Sequence, residues 1–247
     1  MKRSLLATAL VLVVGTFSAS ANETILIKAT LDKVPPPAME AVKKALPGFE
    51  AQSVLRGKMG NQVSFELDGK VAGKTAEVVV TLEAKVVESE VDIELDDVPQ
   101  PIINAATKAV PGLVVEKAMK GTRGTVSFFD LSGKANNKEY SVEVTTEGKV
   151  LETDEAIDLK DVPKVVTDAA ARLVQGFKAD SAKKLTMTMP ASVAYELTGK
   201  VDGFDCEIKV SPEGKVLDIQ REAEPEERKP GTQPPGPAGR RGGHGGH

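Results

Sequence analysis

The chain has 247 residues, 40% of them hydrophobic and 28% charged, with a net charge of −4, two histidines, one cysteine and no tryptophan. The acidic balance argues against a nucleic-acid binder, whose footprint is a basic patch, and 4% aromatics leave few stacking platforms for sugars or bases. A single cysteine rules out an internal disulfide, so stability must come from packing.

In chain order, residues 1–21 come first. Lys2 and Arg3 precede an apolar run from Leu5 to Val14, and Ala19-Ser20-Ala21 follows. A basic region, an apolar region and an A-x-A site predict a secretory signal peptide cut near Ala21 and a periplasmic or extracellular mature protein. The apolar run is shorter than the roughly 20 residues a bilayer span needs. Later segments are less apolar still.

Three similar segments follow. LDKVPPPAMEAVKKALPGFEA begins at Leu31, LDDVPQPIINAATKAVPGLVV at Leu95 and LKDVPKVVTDAAARLVQGFKA at Leu159, so the two steps are equal. A fixed period marks a repeat. Each segment predicts a helix. Ala38, Ala41, Val42 and Ala45, then Ile102, Ala105, Ala106 and Ala109, then Val166, Ala169, Ala170 and Leu173 form i, i+3, i+4, i+7 stripes. Val-Pro opens each helix and Gly48, Gly112 or Gly176 closes it.

Strands follow each helix. Ala76, Val78, Val80, then Tyr140, Val142, Val144, then Cys206, Ile208, Val210 alternate with mostly polar residues, and only Val79 breaks the alternation. Such a pattern predicts one buried and one wet face. The DGK, SGK and TGK triplets around Gly69, Gly133 and Gly199 read as hairpin turns. KVVESEVDIEL, from Lys85, reads as a strand bridging two units, with ETILIKATL, from Glu23, in the matching place before the first helix. The step from Gly133 to Gly199 is two positions wider than that from Gly69 to Gly133, so a two-residue insertion lies in or just before LTMTMPAS.

The expectation is an α+β chain of three tandem units, each one helix packed on a small three- to four-stranded antiparallel sheet. The units span 22–92, 93–156 and 157–221. Residues 222–247, Pro- and Gly-rich and ending GGHGGH, have too few apolar residues to fold and are expected to be disordered.

VPQPIINAATKAVPGL, FDLSGK and YSVEVTTEGKVLE, with YELTGK and EIKVSPEGKVLD, resemble the PepSY-like, beta-lactamase-inhibitor-like family of exported bacterial proteins. The resemblance covers about Leu31 to Ile219. It implies a helix on a four-stranded antiparallel sheet, an envelope or extracellular setting, and protein binding, with peptidase or hydrolase inhibition proposed for relatives. It brings no catalytic residues.

Candidate chemistry is sparse. Cys206 occupies a core position and lacks a nearby histidine base, because both histidines lie in the tail, so it reads as structural. Glu88, Glu90, Asp92, Glu94 and Asp96 alternate along one segment and read as a solvated or charge-protected strand face, not a calcium cage. His244 and His247 are candidate ligands for copper, nickel or zinc. Met187 and Met189, in the one loop that differs among the segments, are candidate partner contacts. No cofactor is indicated and no acidic pair stands out as catalytic. The sequence thus predicts a non-catalytic, exported protein-binding module with an unidentified protein partner, of the kind that serves as an inhibitor or envelope modulator. Metal binding through the tail is the alternative.

Overall fold

The computed structural model describes residues 22–224. β1 (Asn22–Ala29) leads through a 3-10 turn (Leu31–Lys33) to α1 (Pro36–Ala45), then β2 (Phe49–Met59), β3 (Gln62–Val71), β4 (Lys74–Thr81) and β5 (Val86–Ile93). The same order recurs as a turn at Leu95–Asp97, α2 (Gln100–Ala109), β6 (Val114–Arg123), β7 (Val126–Ala135), β8 (Lys138–Thr145) and β9 (Val150–Ile157). It recurs again as a turn at Leu159–Asp161, α3 (Lys164–Leu173), β10 (Lys178–Thr188), β11 (Ala191–Val201), β12 (Phe204–Val210) and β13 (Val216–Ala223). Residues 1–21, read as the signal peptide, and the tail beyond Glu224, with His244 and His247, lie outside the described residues. Glu222 and Ala223, assigned to the tail by sequence, belong to β13.

From β2 to β13 each strand pairs antiparallel with the next, and β1 closes the ring, antiparallel to β2 and parallel to β13. The result is one closed barrel of 13 strands, not three helix-on-sheet units with separate sheets. β5 pairs with β4 on one side and β6 on the other, and β9 does the same for β8 and β10. A separate four-stranded sheet would have two edges of unpaired N–H and C=O groups. Joining the strands end to end, with β1 as the closing strand, removes every edge.

The helices lie on the outer wall. Pro35, Pro99 and Pro163 are their N-caps, and the N–H groups of Leu46, Val110 and Val174 close the last turns on Val42, Ala106 and Ala170 at 2.9 Å. Gly48, Gly112 and Gly176, with φ near +80°, then reverse the chain. Each helix buries the centre of its stripe: Ala38 and Val42, Ile102 and Ala106, or Val166, Ala169 and Ala170. The ends of the stripes differ from the expectation. Ala45 and Ala109 are exposed and Leu173 is 53% exposed, because each helix stops after ten residues. The following Leu46, Val110 or Val174 packs on the sheet instead. α1 covers Phe65, Leu67, Ala76, Val78 and Val80; the other helices cover the matching residues of β7–β8 and β11–β12. Full burial of side chains such as Leu67, Val78 and Val142 is worth about 1.5–3 kcal/mol each. Cys206 is fully buried in the third of these clusters, as its sequence position predicts.

The Gly-Lys triplets are not turns. Gly69, Gly133 and Gly199 sit inside β3, β7 and β11, opposite bulges in β2, β6 and β10. A Cβ there would meet the carbonyl oxygens of Glu50, Val114 and Lys178 at 2.2, 2.0 and 1.9 Å. Glycine is required by close backbone approach. The turns begin three residues after each glycine, at Ala72-Gly73, Asn136-Asn137 and Asp202-Gly203.

The two-residue insertion adds one cross-strand pair. Met59↔Gln62 and Arg123↔Val126 flank the first two hairpins; in the third, Met187↔Ser192 is followed by a further pair, Thr188↔Ala191.

Candidate functional site

Alternation along the strands sends the apolar side chains outward, under the helices. The polar side chains go inward. The face expected to be wet is therefore the barrel lumen. Glu66, Glu88, Glu196, Glu207 and Lys209 are each less than 9% exposed, and Glu77, Glu90, Asp130, Glu143, Asp154 and Asp218 point the same way by register. Glu88 and Glu90, read from sequence as a solvated row, belong to this interior. Their strand is internal to the sheet and has a neighbour on each side.

The lumen charges fall into groups. Arg123 donates Nε to Glu88 at 2.9 Å and its two terminal nitrogens to Glu143 at 3.0 Å each, with its guanidinium 4.9 Å from the Phe128 ring centroid. Burial opposes the charge, yet Glu88 and Glu143 hold the Arg123 pKa above its ordinary value. Across the barrel, Lys183 lies 3.5 Å from Glu196 and 3.9 Å from Asp154. Lys209 lies 3.5 Å from Glu196 and 3.9 Å from Glu207. Against burial, Lys209 and Lys183 hold the Glu196 carboxyl below its usual range. Burial pushes Asp154 and Glu207 well up. Asp130 accepts a short hydrogen bond from Ser141 and is pushed up by burial too.

The third group, Glu66, Glu77 and Glu90, has no salt bridge among the described residues. Burial, reinforced by Asp68, Glu88 and Glu222, pushes the Glu66 carboxyl up to about 8. Burial, with Glu66 and its cross-strand neighbour Glu90, pushes Glu77 up to about 10. Glu90 is pushed up to about 8 by burial and Glu88. The asymmetry lies in the sequence. When the three segments are aligned, Val79 stands where the others have Glu143 and Lys209. Leu55 stands where they have Met119 and Lys183, and Leu26 where they have Glu90 and Asp154.

Val79 is short for its place in the wall and leaves space. A cavity of about 690 Å³ opens between β-hairpins at one end of the barrel and runs inward to Glu66, Glu152, Asp218 and Lys209. That volume suits a small ligand. Leu26, Val79, Leu185 and Ala194 form apolar wall, and Thr24, Ser64 and Gln220 supply neutral polar groups. Glu66 is 6% exposed and its Oε1 has no hydrogen-bond partner among the described residues.

Of the candidates named from sequence, Met187 lines the mouth of this cavity. Met189, 60% exposed, forms the hairpin turn with Pro190 through a cis peptide bond, and its Sδ lies 2.6 Å from Lys149 Nζ. Cys206 faces away from the lumen, under α3, and burial pushes its thiol up to about 11. No group of three or more His, Cys, Asp or Glu among the described residues is placed to hold a metal ion. Glu66, Glu152 and Asp218 were not singled out by sequence reasoning. The break at Val79 was the available signal.

The outer wall carries Arg56, Lys58, Lys120 and Lys184 as well as the three helices, unlike the lipid-facing apolar band of a membrane barrel. No described helix is long and apolar enough to cross a membrane.

No family model matches the chain, and no curated protein matches it. Several solved structures are similar in part. A BLIP-like protein from Bacteroides fragilis is 17% identical, with a TM-score of 0.41, over 50% of this chain and 85% of its own. A DUF2874 family protein from Bacteroides uniformis is 19% identical, with a TM-score of 0.40, over 49% of this chain and 88% of its own. The YpeB C-terminal domain of Bacillus megaterium is 12% identical over 78% of this chain and 98% of its own, with a TM-score of 0.23.

Proposed function

We propose that the mature chain is an exported, non-catalytic binding protein that receives a ligand in the barrel lumen through the hairpin end. The cavity of about 690 Å³, roofed by hairpins and floored by Glu66, carries this reading. Export rests on the pattern of Met1 to Ala21. The absence of a catalytic role is supported by Cys206, which is buried away from the cavity and held as a thiol. The test is entry of a neutral naphthylamine dye that fluoresces in apolar surroundings. One dye per barrel is expected to bind. Ala194→Trp, which fills the cavity, is expected to abolish binding while the circular dichroism spectrum stays that of the native barrel. No fluorescence rise, or a rise that A194W leaves intact, overturns the reading.

A second reading, docking of a protein partner, is favoured by the rim. Leu82, Val126 and Met189 are 47%, 42% and 60% exposed and all lie at the hairpin end. The family resemblance supports it, as do adaptable methionines at a binding surface. A triple serine variant at these three residues is expected to lose a protein captured by the native barrel from envelope extract. A serine variant of Val114 and Leu173, at the opposite end, is expected to retain it. Equal capture by both variants removes the rim from consideration.

A further inference from the structure

We infer that the cavity takes an aliphatic ammonium ion, with its cationic head at Glu66 and its chain along Leu26, Val79, Leu185 and Ala194. The inference rests on the lumen as the ligand site and adds the ligand's chemistry.

Three observations carry it. First, Glu66 Oε1 is buried and has no hydrogen-bond partner among the described residues, and Glu66 lines the cavity. Such a group requires a donor. Second, the charged groups that act on Glu66 are all acids: Asp68 on its own strand, Glu88 on β5 and Glu222 on β13. Glu77 faces it from β4, and Glu152 and Asp218 line the same cavity from β9 and β13. Of the two lysines that line the cavity, Lys85 is exposed at the β4–β5 turn, and Lys209 on the floor is already engaged with Glu196 and Glu207. Glu88 is paired with Arg123 and Glu222 with Lys28 at 3.8 Å, which leaves Asp68 as the acid acting on Glu66 with no salt bridge among the described residues; a neutral donor would satisfy the orphaned oxygen but not that charge. Third, the apolar wall and the single deep carboxyl suit a ligand with one charged end and a hydrocarbon body. A bare metal ion is disfavoured, because no cluster of three ligating side chains is present among the described residues.

Recognition is coupled to a proton. With its pKa pushed up to about 8, Glu66 is a neutral acid near pH 7 in the empty barrel. The ammonium pairs with the carboxylate, so the carboxyl proton leaves to solvent as the ion enters. The competent fraction is about one half at pH 8 and about one hundredth at pH 6, which weakens apparent affinity roughly fifty-fold between them. Above pH 8 the affinity levels off, until the amine itself loses its proton near pH 10.

The experiment is calorimetric titration of the native barrel with octylammonium chloride and with octanol at pH 6 and pH 8. Each is run in two buffers of different ionisation enthalpy. Octylammonium is expected to bind at least tenfold tighter than octanol at pH 8, to weaken about fifty-fold at pH 6, and to release a proton at pH 6 to 7. The release is read on the unmutated protein, so it does not depend on how a variant folds. Glu66→Gln, nearly isosteric with the protonated acid, is expected to bind both ligands equally and without pH dependence. Equal binding of ammonium and alcohol by the native barrel overturns the charge recognition and leaves the lumen as a ligand site. Binding of neither overturns both. Tight, pH-linked ammonium binding that survives E66Q overturns the assignment to Glu66.

Discussion

The stability of the empty barrel is expected to fall as pH rises from 5 to 7. Glu66 is 6% exposed, and its carboxyl is pushed up to about 8 from an ordinary 4.5. Between these values the folded chain holds a proton that the unfolded chain has released. Stability then falls by about 1.4 kcal/mol per pH unit for each such group. Integrated from pH 5 to pH 7, Glu66 alone costs about 2.5 kcal/mol. Glu77 and Glu90, pushed up to about 10 and about 8, act in the same direction over the same window. Glu88, Asp130, Glu143 and Asp218 are all pushed up chiefly by burial, so each contributes with the same sign. Glu196 is the reverse case. Its pKa is lowered, so its contribution is present above its unfolded value and is lost only as pH falls below about 4.5, outside the window. A total of about 5–15 kcal/mol is usual for a folded domain, so a loss above about 2.5 kcal/mol is readily measured. Urea unfolding at pH 5, 6 and 7, followed by circular dichroism, is expected to show the midpoint falling at each step. Glu66→Gln is expected to remove about 2.5 kcal/mol of the difference. A midpoint that is level or rises from pH 5 to pH 7 would refute the argument, since it would place these carboxyls in water.

Four other perturbations probe separate parts of the barrel. Gly133→Ala places a Cβ 2.0 Å from the Val114 carbonyl oxygen and is expected to lower the urea midpoint by the equivalent of about 1–3 kcal/mol. Gly73→Asn, at a positive-φ turn with open space around it, is expected to cost far less in the same assay. Arg123→Met strands Glu88 and Glu143 in the lumen and is expected to cost about 3–5 kcal/mol at pH 7, and less at pH 5, where the acids can take up protons. Cys206 is fully buried and its thiol is pushed up to about 11, so a thiol reagent is expected to label it only as fast as the barrel opens. Labelling at the rate of a free thiol in native buffer would contradict that placement.

The helices and the outer core were legible because a helical stripe and a strand alternation both report local faces. Val42, Ile102 and Val166 are where the stripes place them, and Cys206 shares the layer of Ala76. Closure was not legible. Alternation states that two faces differ, not which of them meets water. Glu66, Glu196 and Glu207 carry charges that are ordinarily outward, and a four-stranded unit with a wet face accounts for them as well as a barrel does. The deciding contacts lie far apart in sequence: β1 beside β13, with Arg221 Nε donating to Glu23 at 2.8 Å across 198 positions. The repeat period is silent on that pairing, because it relates each segment to the next and not the first strand to the last. The Gly-Lys triplets misled for a related reason. Glycine beside a polar residue is a turn signal, yet Gly133 answers to the backbone of another strand, which only the bulge at Val115/Lys117 brings near.

Val79 connects the sequence pattern to the lumen. Three segments of similar length place three sets of polar side chains inside one ring, where there is too little room to hydrate each of them. The second and third segments answer with Arg123, Lys183 and Lys209, each facing two acids. The first supplies Leu55 and Val79 at two of the corresponding positions; its Glu88 borrows Arg123 from the second segment, and Glu66, Glu77 and Glu90 have no salt bridge among the described residues. A buried acid of that kind has two ways to lower its free energy: to hold a proton, or to admit a cation. The first fixes the pH dependence of the empty barrel, and the second fixes the chemistry of an occupant. A cation that binds at Glu66 therefore restores, at pH 7 and above, stability that the empty barrel has lost because the unfolded chain ionises and the buried carboxyl does not. Occupancy and folding are thus linked through the same carboxyl.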